Sequence, residues 1–502
     1  MKFLEKTTTV IYAIMFTIIL SLLFFFSSMD YYLKREFLIP NIIVLLVVII
    51  PVFLIYYFLF KKKEDISLKK YRNTLIIIFV ITFILQLILT VSIYFYTDWD
   101  VKIIRDIVDS FIKTGSLKDN YYLTLYPNNL LLTMILVGIK SIPFLGSNYL
   151  FLLAINCLLV NLAGLFTSLT IKNVSSKKAA LACYIIMLPL ILLSPWIVIP
   201  YTDTFAILFP ILVLYLYTKK NRRIYDYYLI GLFSVLGYYI KPTVIIVLIA
   251  IVIVEVFSRL HFIFKKDIIK KKVKKYLGIF ALLLFGMLTS FSINKLSYKV
   301  LNFEQVTYVE PFTFIHYLAM GQNDETLGAY SEKDINESAY LGKKHDLEKF
   351  YDRLTTRTFG EQVSFFAKKT LLNFNDGSFS WAKDGIFFYK KVDAPSTFAE
   401  EIREIYYSGG KYYDQFLQFS QILWLIVLTF CPFIIKRKNN KNELVIMLSI
   451  IGITLFLTIF EPRTRYLYCY SPIFVVAFVL GISNLKSTLK RASIKSIKKE
   501  TV

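Results

Sequence analysis

The sequence predicts an all-α polytopic membrane protein, and three observations support this fold class. Of the 502 residues, 56% are hydrophobic, and they occur in long continuous runs. A hydrocarbon core roughly 30 Å thick is crossed by about 20 apolar residues in a helix, whose backbone satisfies its own hydrogen bonds. The net charge of +23 comes largely from Lys and Arg residues in short loops between these runs. That distribution is typical of topology signals and predicts no nucleic-acid partner.

The apolar runs predict about twelve transmembrane helices. Their positions are 8–27, 38–60, 74–96, 148–171, 179–197, 203–218, 226–241, 243–258, 277–294, 415–435, 444–460 and 468–485. The chain divides accordingly into two additional N-terminal spans at 1–73, a transmembrane core at 74–294 with its first external loop at 97–147, a small α-rich external domain at 295–414, and C-terminal spans with a basic tail at 415–502.

The apolar run 128–138 decides the orientation of the chain, because it is too short to cross the membrane and lies between Pro127 and Pro143. If this run stays on one face, the strongly basic loops share the other face, which the positive-inside rule makes cytoplasmic. Those loops are 61–72, 172–178, 219–223, 259–275, 436–441 and 486–499. Both termini are then predicted to be cytoplasmic. The first apolar run is predicted to be an uncleaved anchor, and the predicted location of the protein is the plasma membrane.

Juxtamembrane helices are predicted on the outer face, within loop 97–147. In the segment 102–113, Ile104, Ile107, Val108 and Phe111 follow helical spacing, while charged residues occupy the other side. Such a helix lies in the plane of the membrane interface. The run 128–140 is predicted to lie half embedded beside it.

Ionisable and amide side chains at the outer ends of the spans form the candidate site. A charged group costs roughly 2.5–3.5 kcal/mol at the middle of a membrane, so such residues need a reason. The candidate residues come from segments that are distant in sequence but are predicted to lie at the same depth in the membrane. They are Asp98, Asp100, Tyr126, Asn128, Asn129, Asp203, Lys241, Glu461, Arg463 and Arg465. Carboxylates can take a proton from an acceptor hydroxyl, while Arg and Lys can hold a phosphate diester as it leaves. The set therefore predicts a cavity for transfer from a lipid phosphate.

The short motifs that contain these candidate residues, taken in their order along the chain, resemble those of the GT-C superfamily of glycosyltransferases. That superfamily includes protein mannosyltransferases and the aminoarabinose transferase of lipid A. The resemblance covers most of the chain from the third predicted span onward. It rests on Asp98-Trp99-Asp100, Tyr126-Pro127-Asn128-Asn129, Tyr201-Thr202-Asp203, Lys241-Pro242-Thr243 and Glu461-Pro462-Arg463-Thr464-Arg465-Tyr466. It implies a polyprenyl-phosphate sugar donor and an essential Asp in the first external loop. Asp-Trp-Asp replaces the Asp-Glu pair of protein mannosyltransferases, so a protein acceptor is not implied.

We expect inverting transfer of one sugar to a hydroxyl of a glycan or glycolipid. Asp100 is the expected general base, and Asp98 is the alternative. Asp203 is expected to orient the acceptor or a divalent cation. Lys241, Arg463 and Arg465 are expected to neutralise the leaving lipid phosphate, because charge develops there.

Several other features predict structure rather than chemistry. His316, His345 and Asp346 form no zinc-ligand pattern, and metal dependence stays open. The four cysteines, all in or beside apolar runs, predict no disulfide. The segment 375–381 resembles a motif of Gram-positive relatives, but its Asp-Gly pair favours a structural turn.

Two other function classes remain open. A transporter or flippase of lipid-linked sugars would also need cations at the outer face, and it should carry matching polar residues in the inner halves of its spans, where the sequence has few. A polysaccharide polymerase or ligase would act on a lipid pyrophosphate. The headgroup of the donor therefore separates these classes from the expected transferase.

Overall fold

The computed structural model describes residues 1–29, 34–47, 65–263, 269–385, 389–390 and 392–500, and this part of the chain is predominantly helical. Its longer helices are Lys2–Phe25, Leu68–Ile93, Asp100–Thr114, Leu130–Lys140, Tyr149–Val174, Lys177–Met187, Leu208–Thr218, Ile224–Ile240, Ile245–Ile263, Ile269–Val300, Glu332–Thr355, Phe359–Phe374, Thr397–Tyr406, Tyr413–Phe430, Lys441–Ile459 and Ser471–Glu500. Shorter helices are Tyr121–Leu125, Thr202–Ala206, Phe314–Met320 and Arg465–Tyr468. Two short strands, Tyr96–Thr97 and Tyr389–Lys390, pair antiparallel.

Among the described residues, 7 helices are long and apolar enough to cross a membrane, in agreement with an all-α polytopic membrane protein. They are Lys2–Phe25, Leu68–Ile93, Tyr149–Val174, Pro242–Arg259, Tyr276–Val300, Tyr413–Ile434 and Lys441–Ile459. Thr202–Thr218 and Ser471–Leu485 are shorter apolar segments. The predicted total of about twelve spans includes such shorter segments and stays a prediction. Most of the predicted second span, 38–60, lies outside the described residues.

The predicted span 179–197 is not one continuous helix. Helix Lys177–Met187 leads into a π-helical turn at Leu188–Leu192 and then a 3₁₀ turn at Pro195–Val198. Pro189 and Pro195 interrupt the regular hydrogen bonding because proline has no backbone N–H. The break brings Trp196 into the core, where its indole nitrogen donates to the Ser378 carbonyl at 3.1 Å.

The amphipathic segment of the first loop forms the predicted helix. In Asp100–Thr114, the apolar side chains Val101, Ile104, Ile107 and Val108 are buried, as the helical spacing predicts. Asp109, on this helix, forms an ion pair with Lys140 at the end of helix Leu130–Lys140. The two helices of the loop therefore pack against each other.

The candidate residues gather at the end of the bundle that lies opposite the basic loops. Helix Leu68–Ile93 begins among basic residues and leads, at its other end, to Asp98 and Asp100. Helix Tyr149–Val174 carries Lys172 in its last turn, away from the first external loop. We call the end of the bundle that carries Asp98 and Asp100 the site end.

A close helix crossing fixes the long helix Ile269–Val300 against Ile224–Ile240. A Cβ atom at Gly231 would lie 2.1 Å from the Leu283 carbonyl oxygen, and one at Gly286 would lie 2.1 Å from the Tyr228 carbonyl oxygen. Such distances are far below van der Waals contact. The crossing therefore requires glycine on both helices, as is common where membrane helices pack closely.

We predict that Gly286→Ala destabilises the protein by about 1–3 kcal/mol, because the added methyl group must push the two backbones apart. The measurement is thermal unfolding of the detergent-solubilised protein. The control is Gly278→Ala on the same helix, where an added Cβ meets nothing within 4 Å. Equal unfolding midpoints for the two variants would contradict this account of the crossing.

Candidate functional site

A cavity of about 1050 Å³ lies at the site end, between the membrane-spanning helices and the segment 312–335. All the predicted site residues except Asp203 line it. They are Asp98, Asp100, Tyr126, Asn128, Asn129, Lys241, Glu461, Arg463 and Arg465. Residues separated by more than three hundred positions in sequence thus face one volume, which is large enough for a sugar and a phosphate headgroup together.

Alternating acids and cations form a chain along the wall of this cavity, and of its members only Asp203 does not line the cavity. Lys241 forms an ion pair with Asp203, and both side chains are buried. Arg465 lies between two carboxylates, with its Nε 3.7 Å from Asp203 Oδ2 and 3.9 Å from Asp384 Oδ2. Arg463 Nη1 donates to Asp384 Oδ1 at 2.6 Å, and Arg463 Nε lies 3.3 Å from Glu461 Oε1. Each cation therefore has an acidic neighbour.

Aromatic rings hold two of these cations in place. The Arg465 guanidinium lies over the Trp99 ring at 4.6 Å, and the Lys241 ammonium lies over the Tyr466 ring at 4.1 Å. The Tyr466 hydroxyl donates to Glu461 Oε2 at 2.9 Å. Because a ring face attracts a cation, these contacts help to orient the two groups while leaving them at the cavity wall.

Asp384 belongs to the site, although the sequence analysis did not single it out. Burial raises the pKa of its carboxyl, but the charges of Arg463 and Arg465 outweigh burial and leave the pKa below its ordinary value. The carboxylate is therefore ionised at neutral pH and compensates both arginines. The nearest sequence signal was the turn 375–381, which directly precedes it.

The turn 375–381 has the structural role that the sequence favoured, and it positions Asp384. Asp376 accepts hydrogen bonds from the backbone N–H of Ser378 at 2.8 Å and of Ser380 at 2.7 Å. The N–H of Asp384 then donates to the Ser380 carbonyl at 2.7 Å. These bonds stabilise a tight turn that ends with Asp384 at the cavity.

Buried amides join this turn to the N-terminal part of the chain. Asn41 Nδ2 donates to Asn375 Oδ1 at 2.8 Å and also to the Leu23 carbonyl at 2.9 Å. Gln421 accepts from the Gly377 N–H at 2.8 Å and donates to Asn375 Oδ1 at 3.0 Å. The predicted additional N-terminal segment thus contacts the turn that carries Asp384.

The two acids of the first loop lie in different environments. Asp98 is exposed, whereas Asp100 begins helix Asp100–Thr114 and accepts a hydrogen bond from the Tyr201 hydroxyl at 3.1 Å. Burial raises the pKa of the Asp100 carboxyl above its ordinary value, although the charge of Arg465 and the bond from Tyr201 oppose this shift. A carboxylate with a raised pKa is a better proton acceptor, so Asp100 fits a general base better than Asp98.

The amide motif lines the wall next to Asp100. Asn129 Nδ2 donates to the Tyr122 hydroxyl at 3.0 Å, and Asn128 Nδ2 donates to Asn129 Oδ1 at 3.4 Å. The Tyr126 ring packs edge-on against Phe312 at 5.0 Å. These contacts hold the amides beside the cavity, where they can bind sugar hydroxyls.

A divalent cation does not fit the described residues well. Among them, no group of three His, Cys, Asp or Glu side chains could hold a metal ion. Asp203, which was expected to orient the acceptor or a cation, is instead paired with Lys241 and lies outside the cavity lining. His316 stacks on Phe312 at 4.2 Å, and His345 lies 3.3 Å from Glu337. The four cysteines are free and buried.

Comparison with known proteins gives one finding. Residues 1–486 match a protein family described as conserved hypothetical integral membrane protein. No curated protein and no solved structure matches the chain.

We predict that Asp203→Asn destabilises the protein by about 3–5 kcal/mol, because Lys241 and Arg465 lose their shared buried counter-charge. The double variant Asp203→Asn with Lys241→Met should recover part of this loss, and Asp98→Asn, at an exposed site, should change stability by less than about 0.5 kcal/mol. Thermal unfolding in detergent measures all three. An Asp203→Asn variant as stable as the parent would show that the chain of charges does not constrain the fold.

Proposed function

The chain belongs to the conserved hypothetical integral membrane protein family, and we propose that it is a GT-C-type inverting glycosyltransferase. In this proposal it moves a sugar from a polyprenyl-phosphate donor to a hydroxyl of a cell-envelope glycan or glycolipid. The reaction takes place at the outer face of the plasma membrane, in a protein of about twelve spans with both termini in the cytoplasm.

One observation carries the proposal: a half-buried carboxylate with a raised pKa, Asp100, shares a cavity with Lys241, Arg463 and Arg465. A base and a cluster of cations are what transfer from a phosphate ester requires, since a proton is removed at one end and negative charge develops at the other. The cavity lies at the end of the bundle opposite the basic loops. Because the positive-inside rule assigns the basic loops to the cytoplasm, it assigns the end with the cavity to the exterior.

The proposed step is a direct displacement at the anomeric carbon. Asp100 takes the proton of the acceptor hydroxyl, whose oxygen attacks the anomeric carbon from the face opposite the phosphate. The bond between that carbon and the phosphate oxygen breaks, and the polyprenyl phosphate leaves with the electron pair. Arg463 and Arg465 compensate its charge, with guanidinium groups suited to two phosphate oxygens.

The acidic partners prepare these cations for the phosphate. Asp384 and Asp203 hold Arg465 between them, so the guanidinium is in place before a ligand arrives. Such preorganisation lowers the reorganisation needed when charge develops in the transition state. Partly exposed apolar residues at the cavity rim, among them Ile103, Tyr238 and Phe314, offer a surface for the lipid chain.

The described acids at the other end of the bundle argue against a flippase. Glu255 Oε2 lies 3.3 Å from Lys441 Nζ, Glu443 pairs with Lys436 at 2.5 Å, and Asp226 pairs with Lys219 at 2.6 Å. The first pair joins two helices, each of the other two joins a helix to the loop before it, and all three acids have their charge compensated within the protein. A substrate path through the membrane would instead need polar groups that face a cavity at this end.

The direct test uses purified protein in liposomes with a panel of radiolabelled polyprenyl-monophosphate hexoses and extracted envelope glycans. The proposal predicts label in the glycan fraction from a monophosphate donor. Label that only crosses the bilayer would identify a flippase, and transfer only from a pyrophosphate-linked oligosaccharide would identify a polymerase or ligase. Absence of label from every acceptor fraction would also contradict the proposal.

We predict that Asp100→Asn lowers the transfer rate by about 10²–10⁴-fold, because the amide cannot accept the proton. Asp98→Asn, the matched control, should keep most of the activity. The thermal unfolding midpoint of both variants should stay close to that of the parent, which separates catalysis from folding. Greater loss in Asp98→Asn than in Asp100→Asn would reverse the assignment of the base.

We further predict that transfer decreases on the acid side at a pH above the ordinary Asp pKa of about 3.9. Asp100 must be ionised to act, and its pKa is raised by burial, so activity is lost as the pH falls through that raised value. The measurement is the initial rate against pH with saturating donor. An acid limb at or below the ordinary pKa would contradict the assigned base.

A further inference from the structure

Three exposed tyrosines form a surface beside the cavity. Tyr308 and Tyr340 are 64% and 63% exposed, and Tyr121 is 38% exposed. The rings of Tyr121 and Tyr308 are nearly parallel, with centroids 6.5 Å apart and an interplanar angle of 24°. Tyr340 interacts with the Tyr121 side chain from the neighbouring helix. We call these residues the tyrosine platform.

The local backbone holds the platform together. Glu310 N–H donates to the Ala339 carbonyl at 3.0 Å, which joins the segment of Tyr308 to the segment of Tyr340. At Gly342 the helix Glu332–Thr355 kinks, with φ at 70°, and a Cβ there would lie 2.3 Å from Glu310 Oε2. Only glycine allows both this conformation and this close approach. These contacts hold the segments of Tyr308 and Tyr340 side by side.

The platform continues into the cavity along each of its three chain segments. Each tyrosine of the platform lies four or five positions in sequence from a residue that lines the cavity. The pairs are Tyr121 with Tyr126, Tyr308 with Phe312, and Tyr340 with Ile335. Five residues of chain span at most roughly 18 Å. A ligand that lies across the platform can therefore reach into the cavity at the same time.

The charges around the platform are of both signs. Lys118 pairs with Glu304 at 2.8 Å, close in sequence to Tyr121 and Tyr308, and Lys344 lies 4.0 Å from Glu348 on the helix of Tyr340. Lys344 and Glu348 are strongly exposed, so this part of the surface is hydrated. Paired charges do not attract an anionic polymer, and an exposed ion pair does not favour burial in a bilayer.

We propose that the tyrosine platform binds an uncharged glycan chain, whose end enters the cavity as the acceptor of the proposed transfer reaction. The apolar C–H face of a sugar ring packs against an aromatic ring, whose negative face attracts the weakly positive hydrogens. Tyrosine hydroxyls can in addition hydrogen-bond to sugar hydroxyls at the edge of the ring. The acceptor is then a polymer of several sugars rather than a single one.

The test measures binding of the full-length, detergent-solubilised protein to fluorescently labelled, uncharged hexose oligomers of increasing length, in the absence of donor. Wild type should bind long oligomers more tightly than short ones. The double variant Tyr308→Ala, Tyr340→Ala should weaken binding of long oligomers by about tenfold or more, whereas Tyr→Phe at both positions should retain it. The control is Tyr351→Ala, on the same helix and 57% exposed but outside the platform.

Each other outcome overturns the inference. Equal affinity for all oligomer lengths, or unchanged binding in the double Ala variant, would remove the platform as a glycan site. Tighter binding of an anionic polyol-phosphate polymer than of neutral oligomers would assign a different ligand class. A double Ala variant that binds glycan normally but inserts poorly into liposomes would make the tyrosines membrane-interface residues. Since no donor is present, the failure of the transfer reaction would leave these results unchanged.

Discussion

The chain of charges from Lys241 through Asp203, Arg465 and Asp384 to the half-buried Arg463 is the constraint on which the site depends. Asp203 lies in helix Thr202–Ala206, and Lys241 directly follows helix Ile224–Ile240. Asp384 lies in the turn 381–385, and the two arginines lie shortly before the last long helix, Ser471–Glu500. Burying an ion is costly unless an opposite charge lies close to it. The charges therefore stabilise the fold only when all these segments meet.

The same constraint explains how Lys241, Arg463 and Arg465 can line one cavity. Buried ion pairs contribute little net stability compared with well-packed apolar groups, so their presence suggests a role in positioning rather than in folding alone. Asp384 and Asp203 keep Arg465 fixed against Trp99, and Glu461 lies beside Arg463. A phosphate that enters the cavity meets cations whose orientation is already set. In the proposed reaction, the acids act on the substrate through the arginines.

Much of this arrangement was predictable from sequence, for identifiable reasons. The lipid environment imposes long apolar runs, so the 7 membrane-length helices of the described residues were evident. The spacing of Ile104, Ile107 and Val108 indicated the helix of the first loop. Polar groups at span ends stood out because they are costly there. Asp384 was missed because it lies in an irregular turn with no periodic signal. Asp203 was identified, but its pairing with Lys241 depends on helix packing that one sequence does not encode locally. The break of the span 179–197 reflects two prolines within an apolar run.

The most direct measurement is an experimental structure of the protein bound to a polyprenyl monophosphate in a lipid nanodisc. The account predicts that the phosphate contacts Arg463 and Arg465, within reach of Lys241. The space between this phosphate and the Asp100 carboxylate should be large enough for one sugar. A phosphate bound at the opposite, basic end of the bundle, or a cavity without lipid phosphate near these arginines, would contradict the account.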